Sequence, residues 1–327
     1  MKTLGVLAAV GTLMCAVEVV AQAPMRTPWG DPDLRGTYTS DNSIGVPFER
    51  PARFGPRASL TDEEYAERVN ANETQLEKDE SPLPESEFSA EDPSAINASR
   101  HWLERPDVPS RATSLVVDPP DGRLPELTPA GQERLAARRS RRGRGLPASY
   151  TDFTNYDRCI SRGVAGSILP VIYGNGTEIV QAPGVVVIRN EMIHEARIVP
   201  LDATPPPGAA VQMWMGASRG RFEGDTLVIE TTNFTDRTGL GGNGNGPAHS
   251  ASLRLVERLG RVDADTLRYE FTVDDPETYT APWTVAFDLD EKPGYEIYEY
   301  ACHEGNLGLA NMLSAARAEE RAADLKR

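Results

Sequence analysis

Two histidines are each followed directly by a glutamate, His194-Glu195 and His303-Glu304. Imidazole titrates near neutral pH, so a histidine with a carboxylate in reach can serve as a general acid-base pair. If His194 faces a barrel interior with Ala196 and Ile198, it would act with His303 or Glu304 presented from the Cys302 end. That chemistry would suit an isomerisation, hydration or cyclisation. Neighbouring side chains on a strand point to opposite faces, so His194 and Glu195 cannot share one. In the other phase Glu195 and Arg197 face inward together, as an ion pair or an anion clamp. The tryptophans Trp29, Trp102, Trp214 and Trp283 are pocket-lining or core residues. Trp214 and Trp283 join Glu195 and Arg197 as ligand-binding candidates. The alternative makes His194 and Arg197 structural, hydrogen-bonded within the sheet.

Other chemistry finds less support. His101 and His249 sit in loop-like sequence, and no H-E-x-x-H is present. Neither a metal nor an organic cofactor is therefore expected. Gly239-Leu240-Gly241-Gly242-Asn243-Gly244 satisfies G-x-G-x-x-G, but Pro247 and a β-rich run follow it where a phosphate-binding helix should start. It reads as a mobile loop at a barrel mouth. No G-x-S-x-G surrounds Ser167 or Ser218. Asp118-Pro119-Pro120-Asp121-Gly122 is a rigid turn that lacks the alternating ligands of a calcium loop.

These residues are expected to work outside the cytoplasm. Met1-Lys2-Thr3 and the apolar run Leu4 to Ala16 have the form of a signal peptide, and Glu18, Gln22 and Pro24 cut the run short of a membrane span. Cleavage after Ala21 leaves no transmembrane segment and places the protein in the periplasm or the medium. It also removes Cys15 and leaves Cys159 and Cys302, whose simplest use in an oxidising compartment is a disulfide. Metal ligation by Cys302 with His303, or a reactive thiol, are the alternatives. The net charge is −15, which disfavours nucleic acid and other polyanions as partners. Six arginines from Arg134 to Arg144 form a basic island that reads as a solvated helix end or loop.

The mature chain divides into an irregular region rich in proline and charge, 22–150, and a β region, 151–327. Thr61-Asp62-Glu63-Glu64 is a capping box that opens a helix running to about Asp79. Pro82, Pro84 and Pro93 break an acidic linker or surface loop, and Thr128-Pro129 opens a second helix. In the β region, Val185–Ile188 and Met192–Val199 form one hairpin. Arg221–Glu230 repeats at Arg261–Glu270, forty positions on, so each copy is a hairpin. Trp283–Leu289 and Tyr295–Cys302 supply another strand pair, and a terminal helix carries Leu309, Met312, Leu313 and Ala316 on one face. About eight antiparallel strands in succession favour an up-and-down barrel or a strongly curled sheet.

Pro28–Leu34, Val117–Arg123, Asn190–Pro200, Gly224–Asp236 and Tyr300–Asn306 together resemble a family of secreted proteins of unknown function from environmental bacteria. The resemblance spans nearly the whole mature chain and implies no activity. Gly36-Thr37-Tyr38 before a barrel and a helix after it is similar to the lipocalin-like calycin architecture, whose usual opening is Gly-x-Trp. Such a barrel implies a small, largely apolar ligand held in its cup. An acid-base enzyme on the same barrel, and a structural or envelope-interaction protein using the acidic region, are the alternatives.

Overall fold

The computed structural model describes residues 25–80, 103–142, 146–242 and 246–325, with the side chains of 139–142 and His194 outside that description. The signal segment, the acidic stretch 81–102 with His101 and Trp102, Arg144, and positions 243–245 of the glycine loop also lie outside it. Among the described residues no helix is long and apolar enough to cross a membrane.

Ten strands build one antiparallel sheet curled into a nearly closed barrel. They are β1 (Gly36–Thr39), β2 (Val116–Asp118), β3 (Thr177–Ala182), β4 (Val185–Asn190), β5 (Ala196–Pro200), β6 (Ala217–Glu223), β7 (Thr226–Thr232), β8 (Arg254–Arg261), β9 (Thr266–Asp274) and β10 (Trp283–Glu291). The order is β5-β4-β3-β1-β10-β9-β8-β7-β6, and β2 adds to β10. The two repeated segments form the hairpins β6–β7 and β8–β9. In β9, Leu267, Tyr269, Phe271 and Val273 are buried while their neighbours are half-exposed. That period of two puts one face of each strand into the core.

The first and last strands, β5 and β6, meet without a hydrogen-bonded ladder. Gly220 of β6 permits the approach, since a Cβ there would stand 2.8 Å from both Val199 Cγ1 and Leu201 Cδ2.

Two strand expectations are corrected. Tyr295–Cys302 does not pair with β10, because β1 already holds that edge through Tyr38↔Glu291 and β2 holds it through Val116↔Val285. Residues 293–307 instead run as a strap of turns. Met192–Val199 is not one strand either: Met192–His194 forms a single 3-10 turn with Ile193 at φ +64°, and β5 starts only at Ala196.

Three α-helices lie outside the barrel. α1 (Asp62–Glu80) begins with the expected capping box: Glu64 accepts from the Thr61 amide at 2.9 Å, and Thr61 Oγ1 accepts from the Glu64 amide at 3.3 Å. α2 (Pro129–Arg142) is capped by Thr128 Oγ1, which accepts from the Gly131 amide at 3.0 Å. α3 (Gly308–Asp324) buries only Ala316 of its apolar face. A disulfide joins Cys159 to Cys302 with their Cα atoms 5.6 Å apart, tying the strap to the segment that precedes β3.

Candidate functional site

The barrel interior is filled by its own side chains. Trp283 is wholly buried, with the rings of Phe48, Phe271 and Tyr279 packed around it at 5.6–6.1 Å. Tyr269 and Phe287 stack edge to face at 5.4 Å. In the middle of this apolar packing lies one ionic group. Arg197 of β5 forks onto Glu257 of β8, with Nη1 on Oε2 and Nη2 on Oε1, the latter at 2.8 Å. Tyr269 donates its hydroxyl to Glu257 Oε1 at 2.9 Å. Burial works against the Arg197 charge, but the Glu257 carboxylate outweighs it and holds the guanidinium pKa above its ordinary value. Burial raises the Tyr269 hydroxyl well above its usual range, and Glu257 adds to the shift.

Arg197 therefore faces inward as the sequence suggests, but its partner is Glu257, sixty residues on. Glu195 immediately precedes the strand and is half-buried, and its carboxylate adds, behind Glu257 and Tyr269, to the field that favours the Arg197 charge. Trp283 is core, whereas Trp214 is half-buried with Arg158 over its ring at 6.0 Å. His303 and Glu304 are both exposed on the strap. The His194 backbone lies in the turn before β5, so strand alternation does not govern it, and its side chain lies outside the described residues.

Sequence reasoning missed two polar centres at the end of the barrel where β3 begins. His249 is buried; its Nδ1 donates to the Ser250 carbonyl at 2.9 Å, and its Nε2 accepts from Thr238 at 2.6 Å. Burial lowers its pKa, so the ring stays neutral. Asp275 anchors the adjoining turn by accepting from the Ser250 amide and hydroxyl at 2.6 and 2.7 Å.

The second centre is a group of carboxylates around Gly174–Gly176. Glu104 accepts from the Gly174 and Asn175 amides at 3.0 and 3.2 Å, and Asp41 accepts from Asn175 Nδ2 at 2.9 Å. Glu191 accepts from Gly176 N at 3.2 Å and from the Tyr295 hydroxyl at 2.7 Å. Burial, then the neighbouring Asp41 carboxylate, push the Glu104 pKa up to about 8. Glu104 therefore keeps its proton at neutral pH, and it is hydrogen-bonded to Asp41. Among the described residues no group of three or more His, Cys, Asp or Glu is arranged to hold a metal ion.

Two clefts open on the outside. One, about 440 Å³, lies at the seam between the loop Leu201–Pro206 and the outer face of β6 and β7. Leu201, Ala203, Pro205, Pro206 and Ala217 give it apolar surface, and Asp202, Thr204, Arg219, Arg221, Glu230 and Thr232 are its polar groups. Arg219 also holds the loop in place, donating to the Thr204 and Pro205 carbonyls at 2.7 and 3.1 Å. The other, about 400 Å³, lies between the segment around Arg50 and the outer face of β10.

The sequence motifs with the most distinctive composition turn out to hold the barrel together. Leu34 donates its amide to Gln181 of β3 at 2.7 Å, while Arg261 reaches the Asp33 carbonyl and the Tyr38 hydroxyl at 2.7 and 3.0 Å. Pro28–Leu34 thereby closes one end. Gly122, at φ +71°, packs on Arg50, which donates to the Pro120 carbonyl at 2.7 Å. Asn233, at φ +61°, donates to the carbonyls of Pro207, Gly208 and Val211. The chain matches none of the protein-family models and none of the curated proteins with which it was compared.

Proposed function

We propose that this chain is an exported binding protein, calycin-like in its barrel, that takes a small, largely apolar molecule in the seam cleft instead of the barrel interior. The seam cleft carries the reading: it is a concave surface on which Leu201, Ala203, Pro205, Pro206 and Ala217 stand beside charged and hydroxyl side chains, a mixture that can hold an apolar body and orient it. The packed core around Trp283 leaves the interior to the protein's own side chains. The disulfide supports work in an oxidising compartment. Anilinonaphthalene sulfonate, apolar with one anionic group, is a suitable probe. Its fluorescence should rise saturably with the wild type, and Ala203→Trp, which fills the cleft from an exposed position, should abolish the rise. Equal binding by the variant would refute the site.

An acid-base enzyme is the second reading, favoured by Glu104 beside Asp41, since the raised Glu104 pKa suits proton transfer near neutral pH. Solvent deuterium exchange into small carbonyl compounds, catalysed by the wild type and absent from Glu104→Gln, would support it. Equal rates in the two proteins would dismiss these carboxylates.

A further inference from the structure

Arg162 is buried to 1% exposure, and among the described residues no carboxylate pairs with it. Its Nη1 and Nη2 reach only the carbonyls of Gly174 and Tyr173, both at a long 3.4 Å, and its Nε has no partner. A guanidinium offers five N–H donors, so most of its hydrogen-bonding capacity is unused. Burying a charge without a counter-charge is costly, and such groups are rare unless something else meets them. The rings of Tyr156 and Tyr173 lie 5.3 and 5.7 Å from the guanidinium carbon and offset part of that cost.

The surroundings are also rich in donors. The Tyr156 and Tyr173 hydroxyls stand 2.7 Å apart, and Tyr300 on the strap bonds Tyr156. Burial, then those two neighbouring hydroxyls, raise the Tyr156 pKa, so it keeps its proton. Glu104 accepts from the Gly174 and Asn175 amides, makes no ion pair with Arg162 and, with its raised pKa, carries no charge at neutral pH to offset it.

We propose that Arg162, flanked by Tyr156 and Tyr173, is a binding site for a small oxyanion, a carboxylate or a phosphate, received by the guanidinium fork and completed by a tyrosine hydroxyl. The strap, tied down by Cys159–Cys302, closes the site through Tyr300. This site is separate from the seam cleft and does not depend on it.

Calorimetric titration of the wild type with acetate, benzoate and inorganic phosphate at constant ionic strength tests the proposal, and the probe that binds separates a carboxylate from a phosphate. Saturable binding is expected, weakened at least tenfold in Arg162→Lys, which keeps the charge and loses the fork. Tyr173→Phe, at a half-buried position, should weaken it severalfold and serves if the lysine variant does not fold. The Nε–H resonance of Arg162 in the wild type should also shift with the titration. No saturable binding of any of the three probes, or binding that leaves that resonance unmoved, would overturn the site.

Discussion

The Arg197–Glu257–Tyr269 group allows a strong test, because its parts are buried so completely that the cost of breaking it depends on which part is removed. The Arg197 and Glu257 side chains are 5% and 0% exposed. Glu257→Leu leaves a guanidinium that cannot lose its proton in an apolar core, and removing one partner of such a pair costs roughly 3–5 kcal/mol. It also strips the Tyr269 hydroxyl of its acceptor, adding about 1 kcal/mol or more. Total stabilities are typically about 5–15 kcal/mol, so this variant should be close to unfolding. Arg197→Met leaves a carboxylate that can neutralise itself. Its pKa in the folded variant should be raised by burial, so the folded state binds more protons than the unfolded one and the variant regains stability as pH falls. The combination Arg197→Met, Glu257→Leu, Tyr269→Phe removes every polar atom of the group and should come within about 2 kcal/mol of the wild type or exceed it. Urea unfolding followed by the fluorescence of buried Trp283 measures all three. Additive losses, with the triple variant the least stable, would refute the reasoning, as would single losses below 1 kcal/mol.

Three further outcomes follow from other contacts. Glu104 has a folded pKa raised to about 8, so the folded state holds a proton that the unfolded state releases above the ordinary carboxylate range. Its contribution is fully present below that range and fades as pH rises through 8, on the order of 5 kcal/mol. Urea midpoints at acidic and at alkaline pH should show this slope in the wild type and a much flatter one in Glu104→Gln. Gly131→Ala should destabilise by about 1–3 kcal/mol in spite of the better helix propensity of alanine, because its Cβ would stand 2.3 Å from the Thr278 carbonyl. A gain in melting temperature would contradict that contact. Replacing Cys159 and Cys302 together by serine should cost about 2–5 kcal/mol, read as a lower urea midpoint, and an unchanged midpoint would show that the strap adds nothing to the fold.

Features with a short reach along the chain were legible in the sequence. The capping box at Thr61, the Thr128-Pro129 helix start and the repeated hairpins are each decided within a few residues, and each stands where the spacing puts it. The disulfide was legible because, with Cys15 set apart in the apolar run at the N-terminus, Cys159 and Cys302 are the two cysteines left to pair. Placing β1 between β3 and β10 was not, since nothing in Gly36–Thr39 names partners more than a hundred residues away. That insertion also explains why Tyr295–Cys302 is no strand. The inward direction of Arg197 could be guessed from alternation, but its partner Glu257, sixty residues on in β8, could not. Glu104 carried no signal at all: its carboxyl matters through Asp41 and the Gly174 amide, which only the folded chain brings near.

The seam connects the filled interior to the proposed function. A closed barrel has no edges, whereas β5 and β6 each leave one side without a ladder, and an open edge invites pairing with another chain. Here the seam is covered from within the chain. Val199 and Leu201 press on Gly220, and the loop after β5 crosses β6, where the Arg219 guanidinium gathers its carbonyls. Contacts made by side chains and one loop are easier to open locally than ladder bonds, because fewer cooperative hydrogen bonds must break together. The cleft thus lies where the barrel can adjust most cheaply, while the Trp283 core and the Arg197–Glu257 pair, which bridges β5 to β8, keep the rest of the sheet in place. A ligand bound there would join the loop to β6 and β7 and strengthen the closure that the chain makes without a backbone ladder. Slower amide exchange in β5 and β6 on probe binding, with β9 unchanged, is the result this predicts; uniform protection of the whole sheet would argue for a ligand elsewhere.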